Sequence, residues 1–131
     1  MTNRLLVVTI STLLIVGCQK GPKLGEVSGV VTFEGKPLEK ATVTFTPVDG
    51  QMSFDRTEAD GSYQLQFADG RPGAMLGENV VSIETYRIDT TEQGDVVEFK
   101  EILPAKFHVY SELTRTVESS ENVFNFELTK N

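Results

Sequence analysis

Apolar side chains recur at every second position in short runs, and turn residues separate the runs. That pattern constrains the fold more than any other feature. Between Glu26 and Phe33, Val27, Gly29, Val31 and Phe33 fall on one face and Ser28, Val30 and Thr32 on the other. Successive strand side chains point to opposite sides of a sheet, so period two with β-branched residues marks a half-buried strand. Glu34-Gly35-Lys36-Pro37 follows as a turn. A second run alternates Ala41, Val43 and Phe45 with Thr42, Thr44 and Thr46, and Pro47 ends it. After Asp49-Gly50, residues 52–58 form a weaker third run whose apolar members are Met52 and Phe54. Asp60-Gly61 turns the chain into Tyr63, Leu65 and Phe67, which alternate with Gln64 and Gln66. Val80 to Tyr86 is a fifth run, with Val81 and Ile83 opposed to Ser82 and Glu84. Leu113 to Glu118 and Val123 to Leu128 complete the set, the last placing Phe124, Phe126 and Leu128 inward and Asn125 and Glu127 outward. Seven short strands with turn signals between them predict an all-β domain, a seven-stranded antiparallel β-sandwich.

The first residues have another character. Arg4 precedes Leu5 to Val16, which are apolar apart from Thr9, Ser11 and Thr12. A charged start and a short apolar run are the parts of a secretory signal peptide, and the run is shorter than the roughly 18 or more residues of a spanning helix. Ile15-Val16-Gly17-Cys18 resembles the lipobox of bacterial lipoproteins. That resemblance implies a signal-peptide helix over residues 1–17, cleaved before Cys18, and a diacylglycerol on the Cys18 thiol with a further acyl chain, such as palmitate, on the new amino group. An uncleaved N-terminal anchor helix is the alternative. Cys18 is the single cysteine, so no intramolecular disulfide can form. Residues 18–25, with Gly21, Pro22 and Gly25, read as a lipid-anchored tether, and residues 26–131 as the β-sandwich domain. Gln19 follows Cys18 where many inner-membrane lipoproteins carry Asp, which favours the outer membrane.

Charge narrows the partners. The formal net charge is −7. An acidic chain without a basic stripe is a poor match for nucleic acid, so no nucleic-acid partner is expected, and a polybasic grip on anionic lipid is excluded too.

Val27-Ser28-Gly29-Val30-Val31-Thr32-Phe33-Glu34-Gly35-Lys36-Pro37-Leu38, followed by Ala41-Thr42-Val43-Thr44-Phe45, resembles the opening of carboxypeptidase-regulatory-like, or transthyretin-like, domains. Thr57-Glu58-Ala59-Asp60-Gly61-Ser62-Tyr63 is similar to their next turn and strand. Gly73 to Gly77, Leu103-Pro104-Ala105-Lys106-Phe107 and Asn122-Val123-Phe124-Asn125-Phe126-Glu127-Leu128 resemble segments of a group of small bacterial lipoproteins. The first of these lacks the family's Pro, having Met75-Leu76-Gly77 instead. The resemblance covers about residues 26–129 and implies an immunoglobulin-like or transthyretin-like sandwich. Fold alone does not set function.

Catalytic chemistry is sparse. His108 is the single histidine, and there is no H-E-x-x-H motif and no His pair, so zinc catalysis has too few ligands. The chain ends Leu128-Thr129-Lys130-Asn131, not in the Y-R-G-S tail of the related hydroxyisourate hydrolase. No G-x-S-x-G elbow is present. Asp89, Glu92, Asp95, Glu98 and Glu101 crowd the segment from Arg87 to Glu112, which reads as a long solvated acidic loop in which Val96-Val97-Glu98-Phe99 makes a short extra strand. These carboxylates lack the spacing of a calcium loop. The turn Glu58-Ala59-Asp60-Gly61 reads as a plain hairpin turn. Outward Thr and Gln side chains on the second and fourth runs offer a wet face to a protein or a polysaccharide.

The sequence therefore predicts a non-enzymatic, lipid-anchored envelope protein without catalytic, metal or cofactor residues. Lipid on Cys18 joins it to a membrane, and its domain serves as a structural or interaction module for an envelope protein. A carbohydrate- or small-ligand-binding lipoprotein is the alternative. Cys18→Ser is expected to abolish acylation and processing. Metabolic labelling with a palmitate analogue reads this directly, and label retained on the variant would refute the lipobox assignment.

Overall fold

The computed structural model describes residues 21–131. The expected signal helix (1–17), Cys18 and the first residues of the tether (18–20) lie outside the described residues. Fourteen strands follow in chain order. They are β1 (Leu24–Gly25), β2 (Val27–Phe33), β3 (Lys36–Pro37), β4 (Thr42–Pro47), β5 (Ser53–Arg56), β6 (Ser62–Gln64), β7 (Gln66–Phe67), β8 (Ala74–Met75), β9 (Gly77–Glu84), β10 (Arg87–Thr90), β11 (Val96–Phe99), β12 (Thr114–Val117), β13 (Asn122–Val123) and β14 (Phe126–Leu128). The single helical element among the described residues is a 3₁₀ turn at Ala105–Phe107, and none of them forms a helix long and apolar enough to cross a membrane.

Two five-stranded sheets carry the fold. The larger runs β12-β9-β4-β5-β7, antiparallel throughout. The smaller is built around β2, which pairs β13 and β14 on one side and β3 and β6 on the other. Period-two alternation aims Val43, Phe45, Val81 and Ile83 from the larger sheet, and Val27, Val31, Phe126 and Leu128 from the smaller, into one core. Aromatic rings join the two sheets: Phe45 meets Phe126 edge-on at 6.4 Å and stacks with Phe124 at 6.0 Å. The result is all-β and consistent with a β-sandwich.

All seven segments expected from the alternation are present, but the expected seven-stranded antiparallel arrangement is corrected in two ways. The strand count is higher because two segments are split and five short strands are added. The run through Tyr63 and Phe67 breaks at Leu65, so that β6 bonds β2 while β7 bonds β5. The chain thus changes sheets at a fully buried leucine, whose N–H donates to the Val27 carbonyl and whose carbonyl accepts from Gly73. The second correction concerns direction, since β13 and β14 run parallel to β2. Period two assigns faces, not partners, and cannot distinguish parallel from antiparallel neighbours.

The parallel ladder is interrupted where Gly29 and Val30 face Phe124 and Asn125. A Cβ on Gly29 would collide with the Phe124 carbonyl oxygen, so only glycine admits this approach. That carbonyl accepts from the Tyr63 hydroxyl at 2.6 Å. Burial pushes the Tyr63 hydroxyl well above the ordinary tyrosine range, which keeps it a donor. The Asn125 side-chain oxygen replaces a ladder acceptor by taking the Val30 N–H at 2.9 Å. At the start of β13, buried Asn122 donates to the carbonyls of Glu26, Glu118 and Ser120 and accepts from the Glu118 N–H.

Two further details depart from expectation. Leu24 and Gly25, assigned by sequence to the tether 18–25, pair with Met75 and Ala74. The tether is correspondingly shorter, because backbone groups near the core need partners that these residues supply. In β5 the inward side chains are Ser53 and, just beyond the strand, Thr57, while Met52 and Phe54 are exposed. Buried Thr57 fixes this register, its hydroxyl accepting from the Ala41 N–H and donating to the Leu38 carbonyl.

Phe126, 3% exposed, packs against Phe45 and Tyr63, whereas its neighbour Glu127 faces solvent. Phe126→Ala is expected to cost about 3–5 kcal/mol, in the range of buried Phe truncations. Glu127→Ala should cost less than about 0.5 kcal/mol, in the range of ordinary surface changes. Urea unfolding of residues 21–131 measures both, and equal effects would contradict the assigned faces.

Candidate functional site

The segment expected to be a long acidic loop is mostly ordered into a hairpin. β10 and β11 pair antiparallel in the register Arg87↔Phe99, Ile88↔Glu98, Asp89↔Val97 and Thr90↔Val96. The expected extra strand at Val96–Phe99 is therefore present, with β10 as its partner. These two strands form their own sheet, outside the two that enclose the core.

Glu101 closes the root of the hairpin. Its carboxylate accepts from the Thr85 N–H at 2.9 Å and hydroxyl at 2.5 Å, the Tyr86 N–H at 3.2 Å and the Leu103 N–H at 2.9 Å. Thr85 is itself buried, and its hydroxyl oxygen takes the Ile102 N–H at 2.9 Å. One carboxylate thus joins the residues before β10 to those after β11. Burial raises the Glu101 pKa, but the hydrogen bonds from Thr85, Leu103 and Tyr86 outweigh it, leaving the group below its ordinary value of 4.5.

The two faces of the hairpin differ. On one, the Arg87 guanidinium sits 3.7 Å from the Phe99 ring centre, and its Nε donates to Asp89 at 2.9 Å. Asp89 also meets Arg56 of β5 at 3.8 Å, which ties this face to the larger sheet. On the other, Ile88 and Val96 are 57% and 70% exposed and lie as diagonal neighbours across the strands. A groove of about 460 Å³ runs between hairpin and body, lined by Leu38, Arg87, Phe99 and Ile102 with Glu39, Glu98 and Lys100.

Other candidate residues fall in separate places. His108 caps the 3₁₀ turn, with Nε2 3.1 Å from the Leu103 carbonyl. Ser111 nearby donates its hydroxyl to the Val81 carbonyl, and Val109 and Tyr110 are exposed. Glu92, Asp95 and Glu98 point to solvent, and among the described residues no group of three or more His, Cys, Asp or Glu is placed to hold a metal ion. Asp60 accepts from the Ser62 hydroxyl at 2.6 Å and N–H at 2.9 Å, bonds that lower its pKa and close a hairpin turn. Cys18 lies outside the described residues.

The outward Thr and Gln side chains meet along one edge. Gln66 shares the outer face of the larger sheet with Thr44, in a row Ser82–Thr44–Phe54–Gln66 across four strands. On either side of the break at Leu65, Gln64 and Gln66 line one polar trough of about 460 Å³ with Ser28, Asp55 and Glu58. Phe54, 55% exposed, Met52, 51% exposed, and Val80, 42% exposed beside Thr46, lend the outer face of the larger sheet apolar area. Their exposure was not legible because the run 52–58 gives no clear inward face. Nor does any sequence spacing link Glu101 to Thr85.

No family model matches the sequence, and no curated protein matches it. Among solved structures, a similar chain is a 9R-lipoxygenase from Cyanothece PCC8801, with a TM-score of 0.43 and 13% identity, covering 82% of this chain and 16% of that one. This chain thus spans about a sixth of that protein's length, and a likeness at this level bears on neither family nor activity.

Because its folded pKa is depressed, the Glu101 contribution is present above pH 4.5 and is lost as pH falls through the folded value below it. The amide resonances of Thr85, Tyr86 and Leu103 are expected to titrate together below that pH. In Glu101→Gln this shared titration should vanish, and hydrogen exchange across residues 87–99 should accelerate. Unchanged exchange in the variant would show that Glu101 does not hold the hairpin.

Proposed function

We propose that this chain is a non-enzymatic, lipid-anchored protein of the cell envelope, acting as a structural or protein-interaction module. In this reading lipid on Cys18 attaches it to a membrane, and the lack of an Asp after it, where Gln19 stands, favours the outer one. Its domain is a sandwich of the carboxypeptidase-regulatory-like or transthyretin-like type.

The observation that carries the interaction role is the hairpin β10–β11 and its position. Gly21 lies by Gly50, Phe67 and Met75, at the end of the larger sheet where Pro47 pairs Asn79. The hairpin stands at the other end, where Thr42 pairs both Glu84 and Arg56 and Arg56 meets Asp89. The eight residues of β9 join the two ends, about 27 Å at the rise of an antiparallel strand. The hairpin is held by a carboxylate and a stacked arginine, and it offers Ile88 and Val96 to solvent. Pre-ordered apolar side chains of this kind suit a protein partner, because little conformational entropy is lost when they are covered.

A second reading, binding of envelope carbohydrate, is favoured by one observation. Exposed Phe54 sits between Thr44 and Gln66, an aromatic ring flanked by hydroxyl and amide groups.

Photo-crosslinking in the native envelope separates the two. A photoreactive residue at Val96 is expected to give a discrete protein adduct that Ile88→Asp removes, while one at Phe54 should not. An adduct at position 54 with polysaccharide, and none at 96, would overturn the leading reading in favour of the second.

A further inference from the structure

The chain joins the fold abruptly. The Pro22 carbonyl accepts from Arg71 Nη1 at 3.2 Å. Arg71 is held in turn by Asp69, at 2.8 Å, and lies over the Phe67 ring. Leu24 and Gly25 are already paired with Met75 and Ala74. Between Cys18 and the fixed carbonyl of Pro22 lie four peptide steps. Fully extended, four residues span at most about 14 Å. The headgroup layer on one side of a bilayer takes up roughly 5–7 Å of that reach. An acyl group on Cys18 therefore holds this end of the domain within about 10 Å of the headgroups, by the same covalent limit.

The side chains at this end suit that position. Gly50 and Gln51, in the turn after Pro47, line one shallow pocket together with Gly21 and Pro22. The first residue of that turn, Val48, is 87% exposed, the most exposed large apolar side chain among the described residues. Lys23 and Arg71 lie at this end with Asp49, Asp69 and exposed Glu78 beside Asn79, so its charge is weakly acidic and the contact rests on the anchor and on Val48 rather than on attraction to anionic lipid.

The geometry points to a bilayer-facing surface made of the turn 48–51 and the loop 68–73, with Val48 as its apolar contact at the headgroup boundary. The hairpin β10–β11 then points away from the membrane. The short tether fixes the orientation of the domain as well as its location. This inference rests on acylation of Cys18.

The mature lipidated protein, reconstituted in phosphatidylethanolamine–phosphatidylglycerol vesicles, tests it. The Cys18 sulfur is consumed in its thioether, so Val48→Cys supplies a single free thiol for an environment-sensitive fluorophore, and Glu92→Cys at the hairpin tip supplies the comparison. Intact mass reports the lipid. With lipid present, doxyl-lipid quenching is expected to be several-fold stronger at position 48 than at 92. Equal quenching at the two positions, or stronger quenching at 92, overturns the orientation and leaves the anchor standing. Absence of lipid from Cys18 overturns both.

Discussion

The domain depends on how its last two strands lie against β2. β2 is the centre of the smaller sheet, and β13 and β14 cover one of its edges in parallel. That closure brings Phe126 and Leu128 over the core and sets Phe124 against Phe45. It is possible because Gly29 has no side chain where the Phe124 carbonyl comes close, and because Tyr63 and Asn125 satisfy the groups that the broken ladder leaves unpaired. A buried carbonyl or N–H without a partner costs about 1–3 kcal/mol, so these replacements keep the interruption from opening the sheet.

The inward face of most of the seven runs was legible in the sequence. Their alternation selects the buried residues from Val27 and Val31 to Phe126 and Leu128, while Phe33, Leu113 and Phe124 on the same faces stay half-buried at the core's rim. What the alternation leaves open is which strands become neighbours. The parallel ladder and the change of sheet at Leu65 arise from contacts between residues far apart in the chain, such as Tyr63 with Phe124, that no local pattern encodes. Buried polar residues form a second illegible class. No local pattern marks Thr57, Asn122 and Thr85 as core, and each is buried because its side chain completes hydrogen bonds of the nearby backbone.

The candidate site divides in the same way. Composition made the stretch 87–101 conspicuous for its carboxylates, and the fold gives those carboxylates different tasks. Asp89 pairs with two arginines, Glu101 gathers the hairpin root, and Glu92, Asp95 and Glu98 stay in water. A charge run read only as solvated therefore contains the clamp that orders the segment. The apolar residues of the hairpin follow from this: with the backbone paired and the root fixed, Ile88 and Val96 have no core to enter and remain on the surface.

The two ends of the larger sheet have opposite characters, and strand direction explains why. An antiparallel sheet returns its connections alternately to each end. Short connections fall where the chain joins the fold: the turn after Pro47, the loop after Phe67 and the step from Met75 to Gly77. Short turns make a blunt end that lies close to whatever holds residue 21. Both long excursions, the hairpin β10–β11 and the segment through His108 to Leu113, leave from the far end after β9, and the chain rejoins the sheet at β12, beside Val80 and Val81. In the proposed reading, a domain held by a few residues at its blunt end leaves the opposite end, where Ile88 and Val96 are exposed, free to meet a partner. Attachment and recognition are in that reading separated along one strand direction, at opposite ends of the larger sheet.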